Sequence, residues 1–329
     1  MPELPTPSPS SHAPDRPARA PCGKPRLGID LGGTKIEIVA LGDREGGGSG
    51  EREMLRRRTP TPRADYAGTI EAIARLVAEA EAALGAAGTV GIGIPGSISP
   101  TTGLIRNGNS TWLNDKPLKA DLEARLGREV RLANDANCFA LSEAADGAAA
   151  GAQSVFGVIL GTGVGGGIVI DGRIVTGANA IAGEWGHVPL PGRSAADGPG
   201  RRCWCGRADC IETYLSGPAL EREYAAAAGA TVPATEIARL ATGGEDKARD
   251  VLQRYEERLA RALAMIINIV DPAIIVLGGG VSNIEALFAD VPRLWPPHIF
   301  SDAIATRLVA PVHGDSSGVR GAARLWETA

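Results

Sequence analysis

Apolar residues come in short blocks whose spacing switches along the chain between the two-residue period of strands and the longer period of helices. The first block reads Leu27-Gly28-Ile29-Asp30-Leu31-Gly32-Gly33-Thr34-Lys35-Ile36-Glu37-Ile38-Val39-Ala40-Leu41. Strand chemistry on both sides of a polar, glycine-containing bend predicts a hairpin, 26–31 turning into 35–41. A short strand is expected at 54–57. Over 65–84, Ile70, Ile73, Leu76 and Val77 recur at helical spacing, and Gly85 and Gly88 supply the stop. Further strands are expected at 90–94 and 129–133, after which Asn134-Asp135-Ala136-Asn137 opens a helix running to about Gly147.

The second half restarts this order. Strands at 155–160 and 166–170 bracket a glycine loop, and Asp171-Gly172 turns the chain into a strand at 173–175. A loop-rich stretch, 177–210, precedes helices near 217–228, 235–241 and 247–270. A buried strand at 273–277 ends in Gly278-Gly279-Gly280, and a terminal helix is expected at 319–326. Hairpin, glycine loop, helix and strand thus occur twice. That is an α/β pattern of two related lobes, with a cleft between them where a ligand is favoured. The expected division is a Pro-, Ser- and Ala-rich tail at 1–25, a smaller lobe at 26–134 and a larger one at 135–315. The tail is too poor in apolar residues to offset its ordering entropy. The C-terminal segment 316–329 is expected to pack back on the smaller lobe.

Composition narrows the function classes. Of 329 residues, 44% are hydrophobic and 22% charged, which suits two buried cores in an ordinary globular protein. A net charge of -4 leaves no footprint for nucleic acid, and aromatics at 4% are too sparse for base-stacking platforms. No apolar run is long enough for a bilayer and no apolar leader opens the chain, so the expected compartment is the cytoplasm. In that reducing setting five cysteines are expected to be free, catalytic or metal-bound.

The candidate chemistry lies in glycine loops and two polar clusters. In the first loop Gly32 and Gly33 let backbone N–H groups approach phosphate oxygens, Thr34 adds a hydroxyl, and Asp30 can hold magnesium through water. The sequence is neither a Walker A loop nor, lying between strands, a Rossmann turn. A tight hairpin needing positive φ explains it equally. Leu160-Gly161-Thr162-Gly163-Val164-Gly165-Gly166-Gly167 repeats the arrangement, so two loops could grip a phosphate chain from opposite sides. Gly278, Gly279 and Gly280 offer either bare backbone for adenine and ribose or a simple helix entry. Asp135 reads as a helix N-cap or as the carboxylate that accepts a proton from an attacking hydroxyl.

Glu184-Trp185-Gly186-His187 and Cys203-Trp204-Cys205-Gly206-Arg207-Ala208-Asp209-Cys210 together supply one imidazole and three thiols, a soft set suited to tetrahedral zinc. A local disulfide and free buried thiols are the alternatives, while Cys22 and Cys138 lie far off in the chain. Zinc on one ring nitrogen of His187 would fix the other as a donor. Glu184 would face the same space if its segment is helical, and Glu212 would be held there by the last ligand. Zinc in this place would act structurally, holding donors and acceptors in position.

Asp-Leu-Gly-Gly-Thr-Lys, Gly-Thr-Gly and Leu-Gly-Gly-Gly, in this order, resemble the actin-like sugar kinase superfamily. Ala-Gly-Glu-Trp-Gly-His, the Cys-X-Cys-Gly-Arg-X-X-Cys run and Ile-Glu-Thr-Tyr-Leu-Ser-Gly look like the ROK family of bacterial sugar kinases, from about Leu27 to the end. The resemblance implies a two-lobed actin-like (ribonuclease H-like) fold closing on Mg-ATP, a zinc-binding insertion near the cleft, a homodimer, and phosphorylation of a hexose 6-hydroxyl. It makes Asp135 the base and, with it, Gly96, Asn109, Asn134, Glu184, His187 and Glu212 the sugar contacts. His187, Cys203, Cys205 and Cys210 become zinc ligands. Asp30, Gly32, Gly33, Thr34 and Lys35, then Gly161, Thr162, Gly163 and Gly165, and finally Gly278, Gly279 and Gly280 become the ATP and magnesium site. Residues 93–100 and 107–114 look most like kinases of fructose or mannose. N-acetylglucosamine, N-acetylmannosamine and glucose are the alternative substrates. A non-catalytic sugar-sensing regulator is the alternative of another class, against which the short tail before residue 26 is expected to count.

Overall fold

The computed structural model describes residues 23–43 and 51–327. The expected tail lies outside them up to residue 22, as does Cys22.

Strands β1 (Arg26–Leu31), β2 (Lys35–Asp43) and β3 (Glu51–Pro60) form an antiparallel meander. Helix α1 (Tyr66–Leu84) follows, capped where Asp65 accepts from the Gly68 amide and ended by Gly85 at φ 65°. Next come β4 (Thr89–Ile94), the two-residue strands β5 (Ser97–Ile98) and β6 (Ile105–Arg106), helix α2 (Leu118–Leu126) and β7 (Arg131–Asn134). The first sheet has the order β3-β2-β1-β4-β7, with β4 and β7 parallel to β1.

After α3 (Asp135–Asp146) the same plan returns: β8 (Ser154–Leu160), β9 (Val164–Ile170) and β10 (Arg173–Ile174) make a second meander. Helices α4 (Glu212–Leu215), α5 (Gly217–Ala228), α6 (Ala234–Thr242) and α7 (Asp246–Val270) lead to β11 (Ile274–Gly278). Helix α8 (Ala286–Leu294), β12 (Arg307–Val309) and α9 (Ser317–Ala323) complete the described chain. The second sheet runs β10-β9-β8-β11-β12, again three antiparallel strands extended by two parallel ones. The doubling expected from the sequence is therefore present in the strand order itself.

Helices α3 and α9 pack on one another, α3 against β8 and β9, and α9 against β1, β2 and β4. Missing side chains permit this. A Cβ on Gly321 would stand 1.7 Å from the Cys138 carbonyl oxygen, and one on Gly91 1.9 Å from that of Ala322. Each sheet covers its own core. Ile29, Ile38, Ile73 and Ile92 pack together in the first, and Phe156, Tyr214, Tyr255 and Leu277 in the second. Among the described residues no helix is long and apolar enough to cross a membrane.

Three expectations shift. The strand expected at 129–133 is Arg131–Asn134, so it runs into α3 without a linker. The strand expected at 54–57 spans Glu51–Pro60. The terminal helix begins at Ser317 and tightens into a 3-10 turn at Arg324–Trp326.

Candidate active site

The junction of β7 and α3 settles which side chain caps the helix. Asn134 is the N-cap: its Oδ1 accepts from the Ala136 amide at 2.9 Å and the Asn137 amide at 3.4 Å, and its Nδ2 donates to the Gly96 carbonyl at 3.1 Å. Asp135 accepts from the Ala136 amide, at 2.8 Å through Oδ1, and also from its own amide and the Asn134 side chain. Burial pushes its carboxyl up; the Ala136 amide pulls down and the charge of Glu184 pushes up again, leaving it at about 6.

Gly96 sits at φ 82°, and a Cβ there would fall 2.3 Å from the Arg106 carbonyl oxygen and 2.6 Å from the Gly108 nitrogen. Only glycine lets β4 turn this close to the 107–109 loop. That loop is clamped in turn by Asn114, whose Oδ1 accepts from the Gly108 amide and whose Nδ2 donates to the Gly108 carbonyl, both at 3.0 Å.

The glycine loop between β8 and β9 is closed by the Gly161 amide donating to the Gly163 carbonyl at 2.9 Å. The Val164 amide donates to Glu212 Oε2 at 3.0 Å, and the Trp185 indole donates to the Gly165 carbonyl at 2.9 Å. Loop and cysteine-rich segment are thus tied together. Glu184 stands at the N-terminus of a 3-10 turn, Trp185–His187.

The ligating atoms of His187, Cys203, Cys205 and Cys210 all lie within 4.8 Å of one another. His187 Nδ1 is 3.6 Å from Cys203 Sγ, and Cys205 Sγ is 3.6 Å from Cys210 Sγ. Tetrahedral ligands at about 2.3 Å from zinc stand about 3.8 Å apart, so these edges fit such an ion. Cys138 is elsewhere, buried in α3.

All seven residues expected at the sugar line one cavity of about 560 Å³: Gly96, Asn109, Asn134, Asp135, Glu184, His187 and Glu212. Gly161, Thr162, Gly163 and Gly165 line it too. The first loop does not. It is a tight hairpin in which the Gly32 amide donates to the Lys35 carbonyl at 3.0 Å, with Thr34 exposed and Lys35 Nζ 3.6 Å from Glu37. Asp30 nevertheless feels the site. Burial, then the charges of Asp135 and Glu37, raise its carboxyl to about 7 against the pull of Lys35. Gly278 and Gly280 stand off the cavity as well, and a Cβ on Gly279 would meet the Leu160 carbonyl at 2.4 Å, so the third loop backs onto the second. Asn107, Thr111 and Trp204 line the cavity without having been singled out from the sequence. An indole between two cysteines of the cluster was the available signal for Trp204.

Two sheets of repeated order, with a carboxylate and a bare-backbone loop sharing the cavity between them, define a mixed α/β protein of the two-lobed kinase type. The chain belongs to the ROK family, whose model matches residues 26–329. It is 44% identical over 302 residues to the N-acetyl-D-glucosamine kinase of Escherichia coli O157:H7, covering 91% of this chain and 98% of that protein. The N-acetyl-D-glucosamine kinase of Salmonella heidelberg (strain SL476) matches to the same extent. Among solved structures, the ROK hexokinase from Thermus thermophilus superposes with a TM-score of 0.79 at 32% identity, over 93% of this chain and 97% of that one. A ROK family glucokinase from Streptomyces griseus, solved with glucose and AMPPNP, gives 0.71 at 29%, over 92% and 98%.

Proposed function

We propose that this protein is an ATP-dependent kinase that transfers the γ-phosphoryl group of ATP to the 6-hydroxyl of N-acetyl-D-glucosamine. One observation supports the chemistry above all: Asp135 shares one cavity with the glycine loop, Gly161, Thr162, Gly163 and Gly165, and with Glu184, His187 and Glu212. A carboxylate at about 6 is ionised at neutral pH yet basic enough to accept the proton of an attacking hydroxyl. Asn134 donates to the Gly96 carbonyl and to the Asp135 carboxylate, which holds the base in the cavity, and its amide would reach a sugar hydroxyl from there. The glycine loop would lie along the phosphate chain, with the first and third loops completing the nucleotide site. Magnesium near Asp30 would neutralise charge on the transferring phosphoryl group. Zinc would brace His187 and Glu212 and take no part in bond breaking.

For the sugar, the relatives at 44% identity favour N-acetylglucosamine. The expectation of fructose or mannose, drawn from 93–100 and 107–114, gives way to it. Those runs form the asparagine side of the cavity and say little about the space beside a 2-substituent.

The test is ADP release from Mg-ATP with a panel of hexoses, followed by locating the phosphate on the product. N-acetylglucosamine should give the highest kcat/KM. Fructose as the best substrate would restore the earlier expectation, and no turnover of any hexose would end the kinase reading.

A further inference from the structure

Trp204 stands where no packing requirement explains it. The residue is 59% exposed, belongs to none of the apolar clusters of the core, and presents its side chain to the cavity. Its backbone is fixed on both sides. Cys203 and Cys205 belong to the thiol and imidazole cluster, the Cys203 amide donates to the Arg207 carbonyl at 2.9 Å, and Arg202 pairs with Ala208. The indole therefore rides on the tip of a tight hairpin, pinned beside the site.

From there it makes two contacts. The indole N–H donates to Glu212 Oε1 at 2.6 Å, while the Val164 amide holds Oε2. The ring also meets the His187 imidazole edge to face, with centroids 5.1 Å apart and planes at 84°. A carboxylate held at both oxygens keeps one orientation, and Oε2 keeps a lone pair for a ligand hydroxyl. The uncovered part of the ring is large, rigid and apolar, the broadest aromatic face in a cavity whose other apolar lining is Pro95, Ile159 and Val164.

The geometry points to Trp204 as a positioning and specificity residue for the sugar. Its N–H orients Glu212 toward sugar hydroxyls, and its ring forms an apolar wall for the methyl of a 2-acetamido group. The second half rests on the substrate proposed above; the orienting of Glu212 does not. A plain hexose presents only hydroxyls and ring C–H groups, so the acyl methyl is what such a wall distinguishes.

Two variants of the full-length, zinc-loaded protein separate these roles. Trp204→Ala removes both the donor and the wall, whereas Trp204→Phe removes the donor and keeps an aromatic wall. Trp204→Ala should raise KM for N-acetylglucosamine roughly tenfold, with kcat within about threefold of the parent and a narrowed preference over glucose. Trp204→Phe should share the raised KM but keep the preference. A Trp204→Ala protein with full zinc content and unchanged KM and preference would overturn the proposal. Equal loss of kcat on every sugar together with loss of zinc would also overturn it, by making the residue structural. If the parent uses a different hexose, the substrate reading fails alone, and the Glu212 role is read from the KM of that hexose. If the parent turns over no sugar, calorimetric sugar affinity takes the place of KM, and equal affinity of parent and Trp204→Ala sinks the positioning role.

Discussion

On one side of the cavity Asn134 and Asp135 sit where a strand runs straight into a helix, with Gly96 bonded to the Asn134 amide and the 107–109 loop clamped by Asn114. On the other side Glu184, His187 and Trp204 sit on the long loop 177–210, whose described backbone pairing is reduced to isolated bridges, Pro189 with Cys210 and Arg202 with Ala208. That loop is held by other means. Asp197 is gripped by Arg258 and Arg261 of α7, at 3.0 and 2.6 Å. Burial pushes the Asp197 carboxyl up, but hydrogen bonds from Arg261, the Ser194 amide and Arg258 override it and hold the group at about 2. His187, Cys203, Cys205 and Cys210 cluster at the end nearest the cavity, where a metal ion would fix them. One wall is thus a by-product of a sheet that must form anyway. The other depends on ion pairs and, on the proposed reading, on a zinc ion, and the proposed chemistry divides accordingly, with proton transfer on the rigid wall and the sugar contacts of Glu184, His187 and Glu212 on the braced one.

The sharpest test of that division is Asp135→Asn. The substitution keeps the shape of the rigid wall and removes only the proton acceptor. Turnover should fall by about a hundred- to ten-thousandfold with sugar affinity little changed. Equal loss of affinity and kcat, read by calorimetry and initial rates, would make Asp135 a structural part of its wall.

The braced wall should fail in the opposite way. Cys205→Ser removes one ligand, and we expect loss of bound zinc and a rise in sugar KM of roughly tenfold, with KM for Mg-ATP nearly unaltered. Metal content by mass spectrometry and two-substrate kinetics check this. A zinc-free protein with the parent sugar KM would show that Asp197 and α7 suffice, and the contrast between the walls would disappear.

Proton transfer also has a pH signature. With Asp135 at about 6, the base is largely ionised above pH 7 and becomes protonated as the pH falls through 6. The kcat/KM ratio should therefore drop on the order of tenfold between pH 7 and pH 5. An acid limb near pH 4 would mean that the carboxylate is far better solvated than its burial on the rigid wall implies.

The same contrast governs what the sequence discloses. Both glycine hairpins and the strand-to-helix junction were legible because their signals are local: alternating apolar residues, a run of glycines, a capping pair. Even there, Asn134 and Asp135 are equally good caps on paper, and only the strand's extra residue decides between them. Helix α2 lacks a strong apolar stripe, and α8 carries Pro292 inside it, so neither has the pattern that announces a helix. The clustering of His187, Cys203, Cys205 and Cys210 was legible from residue type and spacing. The direction of Trp204 and the nearness of Asn107 and Thr111 were not, because they follow from the path of loops whose closure is set by distant partners. The sugar lay beyond reach for the same reason, since it turns on the space beside one substituent.

The smallest expected effect lies where the glycine loop touches the braced wall. A Cβ on Gly163 would meet Glu212 Oε2 at 2.6 Å and no backbone atom, and Gly163 does not have a left-handed φ, so alanine is tolerated by the main chain. The carboxylate must yield, stretching its bond to the Val164 amide while Trp204 still holds the other oxygen. Because the obstacle is the far end of a flexible side chain, Gly163→Ala should raise sugar KM only about three- to fivefold, the worth of one weakened hydrogen bond. The matching change in the first loop, Gly33→Ala, meets nothing nearer than Ser110 Oγ at 3.5 Å and should leave sugar KM alone. Initial rates with sugar varied at saturating Mg-ATP, then the reverse, decide the matter. A rise confined to Mg-ATP would mean that Glu212 moves without cost, and the braced wall would be softer than its two-point grip on that carboxylate requires.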